Sequence, residues 1–224
     1  MAKILKELLL RITGEQLIEV NEKYEDGEVK VKHMLPRDLT ELIAENTKMI
    51  GVEVELPDNS YWFREDLDGS KRIIIKFFDQ KVDITYNGTV YENVAMPNML
   101  FGFVINSEGY IKSKKVICVK EKKINKETDT YEYPFSNVHA DSREICMGVN
   151  KFNKLDNLTQ ISSAPFYIMG LPNNDDLYKH SNNTEYLNFR DIIIRNLGKE
   201  AFDDNLLVKT GEKVAGFIRS LKDS

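Results

Sequence analysis

Cysteine and histidine are scarce in this chain of 224 residues, with Cys118 and Cys146 the two cysteines and His33, His139 and His180 the three histidines. No CxxC, no HExxH and no histidine pair at helical spacing occurs, so neither a structural nor a catalytic zinc set is recognisable and no metal-ligating residues are assigned. The glycines form neither GxGxxG nor GxxxxGK[ST], so no dedicated nucleotide fold is indicated and no cofactor is expected. Long apolar runs are missing as well: Ile73–Ile75 and Ile192–Ile194 fall far short of the roughly 20 residues a membrane-spanning helix needs. The opening MAKILKELLLRITGE carries charges inside its apolar stretch and no small-residue cleavage site, so no signal peptide is expected. There is no basic excess, since 31 Lys and Arg face 36 Asp and Glu for a net charge of −5, which argues against a nucleic-acid binder held by a general basic face. These absences lead to a cytoplasmic protein without a membrane or nucleic-acid partner. In that reducing setting each cysteine defaults to a small buried apolar residue.

What is present is ordinary globular composition, 42% hydrophobic and 30% charged, which excludes wholesale disorder. The length suits one domain with extensions, divided here as 1–50, an N-terminal extension of hairpin plus helix, and 51–224, an α+β core with C-terminal helices. No repeat, low-complexity tract or Ser/Gly linker marks a cleaner boundary.

Ile4, Leu5, Leu8, Leu9 and Ile12 share one helical face, which predicts a short amphipathic helix over 2–12, with a strand fitting almost as well. Val29, Val31, His33 and Leu35 alternate with charged residues after the turn Glu25-Asp26-Gly27, which predicts a hairpin over 16–35. His33 has no titratable residue spaced to partner it and reads as a strand residue without chemistry. Pro36 then opens a helix with Leu39, Leu42 and Ile43 on one face, closed by Gly51.

Residues 60–119 are the densest β-region. Strands are expected at 71–78, 81–86, 89–94, 99–105 and 110–120, with Asn87-Gly88 composed as a two-residue hairpin turn. Together they suggest an antiparallel β-meander with one face in solvent and the other buried, flanked by helices. Tyr61, Trp62 and Phe63 read as sheet core, as does Cys118 between Ile117 and Val119. Lys120–Thr130 reads as a solvated loop. Helices are expected over 154–163, 185–197 and 211–221, and 165–183 is expected to be loop-like, with Pro172-Asn173-Asn174-Asp175-Asp176 a break and His180 exposed.

The stretch from Thr130 to Val149, TYEYPFSNVHADSREICMGV, has a different character. Tyr133-Pro134-Phe135 favours extended chain, a polar loop follows Asn137-Val138, and Ile145-Cys146-Met147 returns to apolar residues. A cysteine at the edge of a core can carry a thioester, and a nearby asparagine amide can donate to the oxyanion formed when an amine attacks it. On residue type alone, a cysteine between Ile and Met is more often buried and inert.

Tyr131–Gly148 resembles the active-site segment of ubiquitin-conjugating enzymes. It is more closely similar to the prokaryotic ubiquitin-conjugating-like family that includes PRTRC system protein B, where Pro-Phe-x-Asn-Val precedes Gly-x-Val-Cys-x-Gly. Met96-Pro97-Asn98-Met99-Leu100-Phe101 and Ser162-Ser163-Ala164-Pro165-Phe166 resemble further segments of that family, and the likeness spans roughly residues 60–210. The resemblance implies a ubiquitin-conjugating-enzyme-like core, with Cys146 as the thioester cysteine and Asn137 as the oxyanion asparagine. It also implies a ubiquitin-like modifier and an adenylating activating enzyme as partners. The incoming amine would be tuned by His139 and Asp141, both otherwise solvated loop residues. The chain departs from the family pattern in having Phe135 for histidine, Ser136 for proline, Ser142-Arg143-Glu144 where a glycine is usual, and one extra residue between Asn137 and Cys146. The alternative is a catalytically inactive relative that binds a modifier or a plasmid- or phage-encoded partner and keeps Cys146 in its core.

Overall fold

The computed structural model describes residues 5–13, 17–39 and 54–222. The chain divides into two compact units, Met1–Glu53 and Val54–Ser224. The first holds β1 (Leu5–Thr13), β2 (Leu17–Tyr24) and β3 (Val29–Met34) as an antiparallel sheet in that order. The helix expected over 2–12 is therefore a strand. Apolar positions 5, 8, 9 and 12 share a helix face, but 8, 10 and 12 also alternate as a strand does, and residue-by-residue pairing with β2, such as Leu10 opposite Val20 and Ile12 opposite Ile18, selects the extended form. Ile18 and Val20 are buried on one face of β2. His33 has a partner after all: it lies opposite Glu19, with Nε2 3.6 Å from a carboxylate oxygen. Residues 36–39 are helical, and the remainder of the helix expected up to Gly51 lies outside the described residues.

The second unit is built on a six-stranded sheet. Its order is β11 (Lys209–Lys213), β10 (Asp129–Tyr131), β9 (Ile111–Val119), β8 (Asn98–Ile105), β5 (Lys71–Phe77), β4 (Ser60–Glu65). All its pairings are antiparallel. The expected meander is interrupted, because β6 (Lys81–Tyr86) and β7 (Thr89–Ala95) leave the sheet as a separate ribbon and β5 pairs directly with β8, Lys71 opposite Ile105 through Phe77 opposite Met99. Asn87 and Gly88 at the ribbon's turn have φ of 47° and 79°, the left-handed pair that a two-residue hairpin turn requires.

The central strands are covered on both faces, not on one. Ile73, Ile75, Met99, Phe101, Phe103 and Val116 face the larger core, while Ile74, Leu100, Val104, Ile117 and Val119 face a second. Continuous apolar runs in β5 and β8 follow from this, since neither alternating face meets water. Three short α-helices supply the cover. They are α1 (Ala164–Met169), α2 (Phe189–Asn196) and α3 (Val214–Ser220). α1 falls in the stretch expected to be loop; Pro165 occupies its first turn, where the missing N–H costs nothing. A 3₁₀ turn over Leu158–Ser163, capped by the Asn157 side chain, stands in for the helix expected at 154–163. α2 starts later than expected, with Asn188 as N-cap, and Gly198 beyond its end has φ of 66°.

The sheet's other face belongs to α3, whose Val214, Phe217 and Ile218 are buried, together with Leu221 just beyond it. Burying a side chain such as Phe217 contributes about 1.5–3 kcal/mol relative to leaving it in water. Trp62 and Tyr61 pack at this core's margin and Phe63 against the larger one, as sheet residues. Among the described residues no helix is long and apolar enough to cross a membrane.

Candidate active site

After β10 the chain runs extended into the larger core, where Tyr133, Pro134, Phe135 and Ser136 are buried. Phe135 stacks edge-on against Phe189 of α2 and against Phe202, and Asn182 donates to the Tyr133 carbonyl at 3.2 Å. Phe135 and Ser136 are thus core positions in this chain.

Residues 137–146 form a closed loop. The Cys146 N–H donates to the Asn137 carbonyl at 2.8 Å, Val138 bridges Ile145, His139 N–H donates to Glu144 O at 3.0 Å, and Arg143 N–H donates to His139 O at 2.7 Å. Asn137 and Arg143 have φ of 64° and 59°. The loop needs the left-handed region at both places. Arg143 adopts that conformation at a cost of roughly 1–2 kcal/mol for a residue with a Cβ.

Glu144 pins the loop to β9. Its carboxylate accepts from Ser113 Oγ at 2.8 Å and Lys114 N–H at 3.0 Å, while Ile145 N–H donates to Lys114 O at 2.8 Å. A charged residue in a polar hexapeptide gave no hint of this role, because its partners lie about thirty positions earlier in the chain.

Cys146 is partly exposed and Cys118 is fully buried. Burial pushes the Cys118 thiol well above its ordinary range, so it is inert in the folded protein. Cys146 lines a small space of about 10 Å³ with Ser136, Tyr133 and Ile145, about one water molecule. It also lines a larger cleft of about 480 Å³. One side of the cleft is formed by Asn137, His139 and Cys146–Asn150, the other by Leu171, Pro172, Asn174, Asp176 and Leu177.

Of the four residues expected at the site, Asn137, His139 and Cys146 share this cleft. Asp141 does not: it lines a different, open depression with Arg143 and Glu212, and its fully exposed carboxylate comes 3.9 Å from Lys179. The Asn137 amide does not stand free in the cleft. Its Nδ2 donates to Pro172 O at 3.0 Å and to Asn173 Oδ1 at 3.2 Å, which uses both of its N–H groups. Asn173 belongs to the stretch that sequence marked only as a break. Two adjacent asparagines after a proline signal a turn, and nothing in that pattern points to a partner on another element. Among the described residues no group of three or more His, Cys, Asp or Glu is placed to hold a metal ion. Compared with protein-family models, with curated proteins and with solved structures, the chain matches none of them.

Proposed function

We infer that the protein is a ubiquitin-conjugating-like carrier that takes a ubiquitin-like modifier on Cys146 as a thioester and passes it to an amine. The observation that supports this reading is the contrast between its two thiols: Cys146 opens on a cleft at the end of a tightly closed loop, and Cys118 is sealed. The thiolate of Cys146 would attack the adenylated C-terminal carboxyl of the modifier and expel AMP. An amine would then attack the thioester carbonyl, form the amide, lose its proton and return the Cys146 thiolate. His139 lies within the same cleft and can receive that proton. Asn137 can serve the oxyanion once its amide exchanges the Pro172 carbonyl for the developing charge. An adenylating activating enzyme and a small modifier with an exposed C-terminal tail are the partners this chemistry requires. The core would then be ubiquitin-conjugating-enzyme-like in fold as well as in role.

A second reading is favoured by the engaged Asn137 amide. With both of its N–H groups used inside the protein, the same cleft fits an inactive relative that binds a modifier or partner without reacting.

The first test is iodoacetamide labelling of the native protein, with Cys118 as internal control. Cys146 is expected to react without denaturant, and labelling only after unfolding removes the carrier reading. The second incubates the protein with activating enzyme, ATP and modifier. A reductant-sensitive adduct is expected for the wild type, and its survival in Cys146→Ala rules out Cys146 as the carrier.

A further inference from the structure

Residues 171–177, which line the Cys146 cleft, follow α1, and the Asn173 side-chain amide joins this segment to two others. Asn173 Nδ2 donates to the carbonyls of Leu171 at 3.0 Å and Thr85 at 3.3 Å. Its Oδ1 accepts from Ser136 Oγ at 2.9 Å and from Asn137 Nδ2 at 3.2 Å. Every donor and acceptor of the side chain is thereby used. Its main chain extends the β6–β7 ribbon: Asn173 N–H donates to Thr85 O at 2.8 Å, Asn87 N–H donates to Asn173 O at 3.2 Å, and Asn173 bridges Tyr86 in parallel sense. Two residues on, both Asp175 carboxylate oxygens lie 2.9 Å from the Tyr86 hydroxyl.

We propose that Asn173 is the positioning residue of the Cys146 cleft, the amide that ties the β6–β7 ribbon to both of the cleft's sides and so sets how far Cys146 stands open. Ser136 and Asn137 lead into the cysteine loop, Leu171 and Pro172 belong to the opposite side, and Thr85 is the external anchor. Aspartate cannot replace it, since a carboxylate has no N–H groups for the Thr85 and Leu171 carbonyls and would face both with charge. The proposal takes from the proposed function only that Cys146 is the reacting group. Alkylation needs neither modifier nor activating enzyme, so a protein that never forms a thioester can still show the positioning effect.

The test measures the iodoacetamide rate at Cys146 across pH, by intact-mass analysis with Cys118 as control, in the wild type, Asn173→Ala and Asn137→Ala/Asn173→Ala. Loss of the shared bonds is expected to raise the Cys146 rate in Asn173→Ala about tenfold at every pH, leave the midpoint of the pH profile in place and keep Cys118 unlabelled. Because Asn137 and Asn173 share a bond, the double variant is expected to react less fast than the product of the single effects predicts. A Cys146 rate that falls or stays within about twofold of wild type overturns the proposal. So does parallel labelling of Cys118, which reports general loosening. Should Asn173→Ala fail to fold, Ser136→Ala removes only the hydroxyl that donates to Asn173 Oδ1 and is expected to raise the Cys146 rate about threefold with Cys118 sealed; no rise there overturns it equally.

Discussion

Asn137 and Cys146 face each other across the neck of one loop, the cysteine N–H donating 2.8 Å to the asparagine carbonyl, while the asparagine side chain turns away to Pro172 and Asn173. Nine residues apart in sequence, the two are joined through their main chains. The backbone of Asn137 holds Cys146, and its amide holds the opposite side of the cleft.

That division of labour separates two substitutions. Both Asn137→Gly and Asn137→Ala lose the side-chain bonds, but glycine adopts the left-handed backbone at φ 64° freely, whereas alanine keeps a Cβ there without the polar side chain that lets asparagine tolerate that region. Asn137→Ala is expected to be less stable than Asn137→Gly by about 1 kcal/mol. Urea unfolding followed by the fluorescence of Trp62, the single tryptophan, measures the difference, and equal stabilities contradict it.

Arg143 balances two effects of similar size. Its φ of 59° is unfavourable for a residue with a Cβ, and its side chain, 16% exposed, donates from the guanidinium to Glu212 on β11 at 2.9 Å. Arg143→Gly relieves the first and loses the second, a pair worth roughly 0–1 kcal/mol, so its stability is expected to stay near wild type. Arg143→Ala loses the pair and keeps the backbone cost, and should fall about 1 kcal/mol below the glycine variant. The same urea titration ranks them, and an alanine variant as stable as the glycine variant refutes the backbone argument.

Gly102 lies under α3. A Cβ there would meet Leu221 Cδ1 at 2.7 Å and Phe217 Cζ at 3.1 Å. Gly102→Ala is expected to cost about 1–3 kcal/mol by overpacking. Leu221→Ala removes the obstructing atoms, so the double variant should lose clearly less than the sum of the two single losses in denaturant unfolding. Strict additivity would mean that the contact does not limit the site.

Glu132 follows β10 in a half-buried position, and burial raises its carboxyl above the ordinary 4.5, with Arg143 partly opposing the rise. A folded pKa above the unfolded one means that the protonated form favours folding. That stability is complete below about 4.5 and is lost as pH rises through the folded value. Glu132→Gln cannot charge, so its stability relative to wild type is expected to grow between about pH 4 and pH 7 in thermal melts. A margin that shrinks over that range contradicts the sign.

Much of the second unit was legible because its strands carry dense β-branched and aromatic runs separated by strong turn signals; Asn87-Gly88 alone located a hairpin. β1 was not, since its apolar spacing serves helix and strand equally. α1 was not, because Pro165 reads as a breaker until it is seen in a first turn. Within the cleft, Cys146 and Asn137 stood out by motif, while Glu144 and Asn173 act through partners about thirty and nearly ninety positions away and leave no local pattern.

Local sequence therefore determined the β2–β3 hairpin, strands β5 to β9, their turns and the position of the cysteine loop, because hydrophobic period and turn chemistry act over a few residues. Tertiary structure decided which strands met, covered both faces of the sheet, and left one thiol sealed and the other open. It also turned Asn137 toward Asn173, since the pairing of polar groups under partial burial depends on elements that only folding brings together.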